Sequence, residues 1–363
     1  MAVTKHAFSQ DGTIDEYVLS NRQGTRVYVT NWGARLTRFI VADKTGTLRD
    51  IVAGFEDYES WQKSLAIDDP YFGATIGRVA GRICPCDSVQ INGQTCQLPE
   101  IQPHKVCLHG GVSGFDKKLF SGRVLSTAES AAVVFTYISE DGEEGFPGDI
   151  ELRVKYTLDE ENGLHIEYLG TLLSGTETIL NPTNHTYWNL TGFVEPTIHQ
   201  HLCRLTADRV MECQRDVPMV PTGRLLPVHN TKLDFTRLRR IGQNLDPTNA
   251  ERGFDHVFVM QDEPQNEPGS RSQVREAAVL ESPESGLRLT VLTDQPALVM
   301  YTGNWISDKL VGKYGIRYGN YAAVALETQQ VANAVNLAEF RKQVVVTRES
   351  PFTHHTVYRV NTT

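Results

Sequence analysis

Apolar and polar residues alternate without a break in Ile150-Glu151-Leu152-Arg153-Val154-Lys155-Tyr156-Thr157-Leu158. Successive side chains of a β-strand point to opposite faces, so this period of two predicts a strand with one face on a core and the other in solvent. The turn-like residues 159–163 follow, and residues 164–173 form a second β-rich run. The sequence therefore predicts an antiparallel hairpin over this part of the chain.

Similar β-rich runs recur along the whole chain, whereas helical periodicity is scarce. Asn92-Gly93 predicts another hairpin turn, and short helices are predicted at residues 57–65 and 236–245. The further β-rich runs are 26–41, 131–139, 287–293, 298–302, 343–348 and 356–360.

The distribution of these runs indicates a single domain. Length alone would divide 363 residues into roughly two or three domains, but large all-β domains often exceed the average. No clean linker is visible, and residues 263–272, rich in Glu, Pro, Gln and Ser, are interpreted as an exposed loop. We predict one all-β domain over residues 1–363, a large antiparallel β-sandwich with few short helices.

The composition argues against several kinds of partner. The formal net charge is −9 and no long run of Lys or Arg occurs, so nucleic acid would be repelled at long range. No stretch of about 18 apolar residues is present, and the amino terminus lacks a signal-like apolar segment. We therefore expect no membrane partner and a cytoplasmic protein, either a monomer or a weak homodimer.

Two further features favour the cytoplasm. Six cysteines in so long a chain do not resemble a disulfide framework, and they fit reduced thiols. Asn184 and Asn189 each begin a glycosylation acceptor pattern, and a glycan there would cover the imidazole of His185.

His185 and Glu327 are candidates for proton transfer. His185 follows Asn184 where a strand is expected to emerge into a cleft, and its ordinary pKa near 6.5 suits a proton donor. Glu327 ends the mostly apolar run 321–326, where partial desolvation would raise its basicity. The simpler interpretations are a structural histidine and an edge-strand carboxylate in water. Together, however, the two groups suffice to move protons between the oxygens of a cyclic hemiacetal.

Other segments carry groups suited to binding hydroxyls. His109 precedes Gly110 and Gly111, and glycine lets a ligand approach the main chain closely. A phosphate loop is the rival interpretation of this segment, but it lacks the required lysine. Arg82 supplies a fork of donors and Asp255 a charged acceptor.

Neither a cofactor nor a metal is expected. No Gly-x-Gly-x-x-Gly opens a βαβ unit, which argues against a dinucleotide. His199, His201 and Cys203 alternate, so in a strand they would share one face and could begin a zinc site. No fourth ligand is indicated, and a surface strand is the simpler interpretation.

Several short motifs occur in a characteristic order along the chain. They are Gly-Arg-x-Ala-x-Arg-Ile (77–83), Leu-His-Gly-Gly (108–111), Gly-Phe-Pro-Gly (145–148), Thr-Asn-His-Thr-Tyr (183–187), Gly-Phe-Asp-His (253–256), Tyr-Thr-Gly-Asn (301–304) and Leu-Glu-Thr-Gln (326–329). With these motifs the chain resembles the aldose 1-epimerase (galactose mutarotase) family over essentially its whole length. The resemblance implies a galactose mutarotase-like β-sandwich with an open sugar cleft.

The resemblance also implies roles for individual residues. Glu327 matches the general base for the proton on the anomeric oxygen O1, and His185 matches the acid that protonates the ring oxygen O5. The substrate-binding positions that it implies are Arg82, His109, Asp255 and Gln295. The chain departs from the family pattern at Gly81, Val106, Val257 and Ala332, which leaves the sugar preference open.

The expected reaction interconverts the α and β anomers of free aldohexoses such as glucose and galactose. A glycosidase using Glu327 and Asp255 is a rival, but it would leave His185 without a role. A hexose-6-phosphate 1-epimerase would need several Arg or Lys side chains for the phosphate. A non-catalytic carbohydrate-binding or regulatory module is the third alternative, against which the presence of both acid and base argues.

Overall fold

The structure is a computed structural model that describes residues 1–127, 130–217, 219–248, 252–260 and 274–363. Strands dominate it, and none of the helices in these ranges is long and apolar enough to cross a membrane. The main helix, α1, spans Tyr58–Leu65. The strands are β1 Ala2–Ala7, β2 Asp15–Ser20, β3 Arg26–Thr30, β4 Arg35–Ala42, β5 Leu48–Asp50, β6 Thr75–Ile76, β7 Arg82–Ile83, β8 Val89–Ile91, β9 Gln94–Cys96, β10 Cys107–Leu108, β11 Ser121–Val124, β12 Ala131–Ser139, β13 Ile150–Leu158, β14 Gly163–Leu172, β15 Thr178–Ile179, β16 Thr183–Asn184, β17 Tyr187–Trp188, β18 Leu202–Leu205, β19 Ala207–Cys213, β20 Pro221–Pro227, β21 Arg239–Arg240, β22 Asp255–Met260, β23 Arg275–Ser282, β24 Leu287–Thr293, β25 Ala297–Tyr301, β26 Val324–Gln329, β27 Val345–Val346 and β28 Phe352–Thr362.

Two large antiparallel sheets face each other. The nine-stranded sheet has the order β11-β12-β13-β14-β28-β24-β23-β18-β21, and the six-stranded sheet has the order β17-β26-β25-β22-β19-β20. Tyr358 of the first sheet donates a hydrogen bond across the core to the carbonyl of Leu326 in the second (2.9 Å) and packs on Trp188. The predicted all-β sandwich is confirmed.

The first sheet is built by the alternation seen in the sequence. Ile150, Leu152, Val154, Tyr156 and Leu158 of β13 are fully buried, whereas the intervening residues are partly or fully exposed. β28, the last strand of the chain, pairs with β14 on one side and β24 on the other. The strand thus lies in the middle of the sheet, and distant parts of the chain share one core. A five-stranded meander, β1 to β5, packs its apolar side chains into the same core.

The six-stranded sheet is covered on both faces. Leu298, Met300 and Leu326 point into the core between the large sheets. Val299 points the other way, into a smaller apolar cluster whose other buried members are Met211, Val257, Val259, Ala297, Val331 and Ala332. Every residue of β26 is therefore buried, including those that face away from the main core.

Most local predictions are confirmed. The helix expected at residues 57–65 is α1, with Asp57 as the N-cap that accepts a hydrogen bond from the Ser60 amide. Asn92-Gly93 connects β8 to β9, and the turn at residues 159–163 connects β13 to β14. The run 263–272 lies outside the described residues.

Two further β-rich runs contain strands as predicted but are divided or shorter, and one predicted helix is wrong. Residues 26–41 form two strands, β3 and β4, because a turn at Gly33 reverses the chain. No α-helix forms at 236–245, where β21 precedes a single 3-10 turn, Ile241–Gln243, because the segment pairs with β18. Only Val345 and Val346 of the run 343–348 are in a strand.

Arg35 is a buried guanidinium that ties β4 to two loops. The side chain is 2% exposed and lies 4.3 Å from the ring centroids of both Trp32 and Trp61. It donates hydrogen bonds to the carbonyls of Phe72 (2.7 Å) and Asp116 (2.9 Å). The guanidinium fork thus fixes the loop that carries the neighbouring residue, Tyr71, into the cavity described below.

Replacing Arg35 by Lys should lower the free energy of unfolding by about 2 kcal/mol, because an ammonium cannot serve both carbonyls and stack between two indoles. Urea denaturation followed by tryptophan fluorescence measures this change. The same substitution at exposed Arg123 is the control and should have no effect. An Arg35→Lys protein of wild-type stability would contradict this account of the two loops.

Candidate active site

A cavity of about 690 Å³ opens on the face of the six-stranded sheet that is turned away from the main core. Strands β22, β25 and β26 form one wall of it, and the loop before β6, the loop between β9 and β10 and the turn after β10 contribute to the rest. The volume is within the usual range for small-molecule sites, about 300–1,000 Å³. His185 and Glu327 are separated by 142 positions in the sequence, and both line this cavity.

Glu327 lies near the middle of β26, a strand that pairs with β17 on one side and β25 on the other. The expected position, at the end of a strand, is wrong by two residues, and the edge-strand alternative is excluded. The carboxylate is 3% exposed. Burial, together with the charge of Asp255, raises the pKa of Glu327 well above its ordinary value, and Arg82 opposes this shift.

His185 lies between β16 and β17 with its ring stacked on Tyr187 (centroids 4.9 Å apart) and, more distantly, on Tyr71 (6.0 Å). Its Nε2 is 3.4 Å from Oε1 of Glu327, and both side chains are 4% exposed. Burial lowers the pKa of His185 to about 3. The fold thus brings the predicted acid and base into contact and buries both side chains.

The residue before His185 holds the histidine in place. The Asn184 side chain donates to the Gly73 carbonyl and accepts from the amide of Thr186. The backbone of His185 exchanges two further hydrogen bonds with the same loop, through Gly73 and Ala74. This explains why an asparagine and a threonine flank the histidine: both stabilise the turn rather than contact a ligand.

His109 is held in one tautomer. Its Nδ1 accepts a hydrogen bond from the Gly81 amide (3.2 Å), so the proton of the neutral ring is on Nε2. Burial, with smaller effects of His185 and Arg82, lowers the pKa of His109 well below its ordinary value. Gly110 permits the turn, because a Cβ there would be 1.8 Å from the Gly77 carbonyl oxygen. His109 therefore presents a neutral Nε2–H donor to the cavity.

Arg82 and Asp255 both line the cavity and form an ion pair, with Nη1 of the arginine 3.6 Å from Oδ2 of the aspartate. The Nε–H of Arg82 donates to Oε1 of Gln102 (3.0 Å), which fixes the plane of the guanidinium. Arg78, the other arginine of the motif, does not reach the cavity and bonds to Ser139 and nearby carbonyls instead.

Gln295 is the predicted substrate-binding residue that the structure does not bring into the cavity. Its amide donates to Oδ1 of Asp294 (2.7 Å) and accepts from Nε2 of Gln330 (2.9 Å), and it precedes β25. On that strand, Val299 is the cross-strand neighbour of Glu327, and its side chain lines the cavity. The predicted role of Gln295 in substrate binding therefore has no support from its position.

The cavity also contains residues that were not predicted. Gln329 follows Glu327 by two positions on the same face of β26, so the period-two rule could have identified it. Tyr187 and Tyr301 lie on β17 and β25 within the motifs quoted above, whereas Tyr71 and Trp305 could not have been identified, because loop packing brings them there. Each of the four departures from the family pattern lines the cavity: Gly81, Val106, Val257 and Ala332.

The alternative zinc site depended on a strand that does not form. Cys203 lies in β18, but His199 and His201 lie in the preceding turn. Nε2 of His201 accepts a hydrogen bond from the Leu190 amide, so the imidazole is engaged within the fold. Among the described residues, no group of three potential ligands is arranged to hold a metal ion.

Comparison with known proteins agrees with this geometry. A crystal structure of an aldose epimerase homologue from C. elegans has a TM-score of 0.81 at 27% identity and covers 95% of this chain and 98% of that one, which defines the class: a galactose mutarotase-like sandwich. Galactose mutarotase from Homo sapiens is 36% identical over 343 residues, 93% of each chain. Aldose 1-epimerase from Haemophilus influenzae is 32% identical and covers 89% of this chain and 88% of that protein.

The profile of the family described as Aldose 1-epimerase matches residues 15–359. The chain belongs to the aldose 1-epimerase family, as the order of its motifs predicted.

The state of His109 can be measured directly. We expect long-range ¹H–¹⁵N NMR spectra to show a neutral ring with the proton on Nε2 from about pH 7.5 down to about pH 5, because its lowered pKa lies below the ordinary value of about 6.5. A His109→Asn variant assigns the signal. Protonation within this range, or a proton on Nδ1, would contradict the hydrogen bond from Gly81.

Proposed function

We propose that this enzyme interconverts the α and β anomers of free aldohexoses such as glucose and galactose, with Glu327 as the general base and His185 as the general acid. The observation that carries the proposal is the contact between a buried carboxylate and a buried imidazole, 3.4 Å apart, in a cavity of sugar size. The O1 and O5 oxygens of a pyranose are bonded to the same carbon. Their proton donor and acceptor must therefore lie side by side, as these two groups do.

The reaction needs no net change of protonation in the enzyme. Glu327 takes the proton from O1, His185 gives a proton to O5, and the bond between C1 and O5 breaks. The resulting aldehyde rotates about its bond to C2, and reclosure on the other face reverses both transfers. No hydride or electron moves, so the chemistry requires no redox cofactor.

The pKa shifts suit a pair that shares one proton. A raised pKa for Glu327 and a lowered pKa for His185 favour a neutral acid beside a neutral imidazole. Transfer of that proton from Oε1 to Nε2 gives the carboxylate and imidazolium that the ring-opening step uses, with the same number of protons. On this proposal the two groups, 3.4 Å apart, share one proton.

Arg82, His109 and Asp255 are proposed to bind the remaining hydroxyls. The Nε2–H of His109 supplies a neutral donor, the Arg82 guanidinium supplies several donors in one plane, and the Asp255 carboxylate accepts. Fixed donors of this kind stabilise negative charge that develops on sugar oxygens. Gln295, with its amide bonded to Asp294 and Gln330, is not part of this proposal.

The rival functions fit less well. Among the described residues that line the cavity, Arg82 is the only Arg or Lys, and it is paired with Asp255, which does not suit a 6-phosphate. A glycosidase would need two carboxylates as acid and base, whereas an imidazole contacts Glu327. A non-catalytic module would have no use for a buried acid and base in contact.

We also infer that residues 1–363 form one domain in the cytoplasm. The main apolar core draws on residues from Tyr17 to Val360, which supports a single unit. The cysteines form no disulfide among the described residues, and Asn184 and Asn189 are buried, which agrees with a protein that is neither oxidised nor glycosylated. The monomeric or weakly dimeric state stays a prediction.

Glu327→Gln and His185→Asn should each reduce kcat for anomer exchange by about 100-fold or more, while sugar affinity changes by no more than about threefold. Polarimetry on freshly dissolved α-D-glucose measures the rate, and calorimetric titration with D-galactose measures binding. The control variants are Glu349→Gln and His229→Asn, at exposed positions, which should retain full activity. An active Glu327→Gln enzyme would remove the assignment of the base.

The pH dependence tests the shared proton. His185 has a lowered pKa of about 3, so its pair with Glu327 gains a second proton only far below neutrality. The pair loses its single proton as pH rises through the raised pKa of Glu327. Between about pH 6.5 and pH 5 we therefore expect no fall in kcat/KM after subtraction of the spontaneous rate.

Circular dichroism at each pH is the control for folding. A tenfold fall in kcat/KM over this interval, in a protein that remains folded, would contradict the shared-proton account.

A further inference from the structure

Gln329 is a buried amide to which the fold gives no partner. Its side chain is fully buried, it lines the cavity, and neither Nε2 nor Oε1 has a hydrogen-bond partner within the protein. An unsatisfied buried amide lowers the stability of the free protein, so its presence needs an explanation. The adjacent residue, Gln330, differs in that its Nε2 donates to Gln295 and its backbone amide to Asn181, although its Oε1 also has no partner.

The position of Gln329 relative to the acid and base limits which part of a sugar it can contact. Gln329 follows Glu327 on the same face of β26, about 6.6 Å further along the strand. His185 contacts Glu327 from the side of β17, and Val299 is paired with Glu327 on the side of β25. Val257 continues this row on β22.

The anomeric carbon C1 is bonded to two ring atoms, O5 and C2. On the proposed function, O5 lies at His185 and O1 at Glu327, so C2 lies on the far side of Glu327 from the histidine. The strand neighbours there, Val299 and Val257, are apolar and cannot bind a hydroxyl. On the cavity face of β26, the next side chain after Glu327 is that of Gln329, whose amide can both donate and accept.

Gly81 keeps that amide available. Its own amide N–H is used by Nδ1 of His109, and it has no side chain to offer. A Cβ at Gly81 would be 2.9 Å from the Cβ of Ala332 and 3.7 Å from Nε2 of Gln329. A side chain here would collide with Ala332, so the glycine permits close packing and adds no group that would bond to Gln329.

We propose that Gln329 binds the hydroxyl on C2 of the aldose and makes the enzyme selective for sugars that carry it. This inference rests on the proposed function and adds a substrate-binding residue to it. A site that binds a hydroxyl through an otherwise unsatisfied buried group rejects an analogue that lacks the hydroxyl, because the group then stays unpaired. A 2-deoxyaldose is therefore expected to be a poor substrate.

The test compares D-glucose with 2-deoxy-D-glucose in the wild-type enzyme and in Gln329→Met, with Gln329→Leu as a second variant. Magnetisation-transfer NMR between the α and β anomeric protons gives the rate at equilibrium for both sugars. We expect wild-type kcat/KM for glucose to exceed that for 2-deoxyglucose by about tenfold or more, and the ratio to fall to within about twofold of one in both variants.

The matched control is Gln330→Met, which removes an amide outside the cavity and should leave the ratio as in the wild type. Thermal unfolding supplies a second readout. Because the Gln329 amide has no protein partner, Gln329→Met should have a Tm no lower than that of the wild type. A residue with a purely structural role would instead lower Tm and reduce the exchange of both sugars alike.

Three results would overturn the inference: equal wild-type rates for the two sugars, a ratio that persists in both Gln329 variants, or a lowered Tm with equal loss for both sugars. The first two leave anomer exchange of glucose intact, so they are distinguishable from failure of the proposed function. A wild-type enzyme that accelerates exchange of neither sugar would remove both.

Discussion

A carboxylate in the middle of a strand that is covered on both faces is the constraint on which this site depends. β26 is an inner strand of the six-stranded sheet, so the backbone around Glu327 is fixed by hydrogen bonds on both sides. Burying an unpaired carboxylate costs several kcal/mol, which neighbouring groups must offset. Arg82 offsets this cost only in part, and the raised pKa of Glu327 favours its neutral form instead. The same burial raises the basicity on which the proposed chemistry depends.

The rest of the site consists of loops held against this rigid sheet. Arg35 fixes the loop of Phe72 and Tyr71, Asn184 fixes the turn of His185, and the Gly81 amide selects the tautomer of His109. None of these three contacts involves a group that must move during a reaction. The polar groups are therefore oriented before any sugar arrives, which lowers the entropic cost of ordering them.

The sequence predicted some parts of the fold and of the site well and others poorly, for physical reasons. Alternation within β13 was reliable because one face meets a continuous core and the other solvent. Residues 236–245 were predicted as a helix, but the segment instead pairs with β18, an interaction that local periodicity does not reveal. The supposed strand through His199 and His201 failed similarly, because a turn intervenes. Gln295 stayed outside the cavity because its amide bonds to Asp294 and Gln330.

By itself, the sequence determined the all-β class, the family and the identity of the two groups proposed to move protons, because strand periodicity and short motifs are local properties. Only the tertiary structure decided that these groups are in contact, that both are buried, and that Gln329 and four aromatic side chains line the same cavity. Contact and desolvation arise from long-range strand pairing and loop packing. Ionisation energies depend on those surroundings rather than on residue type, so no local pattern could have supplied them.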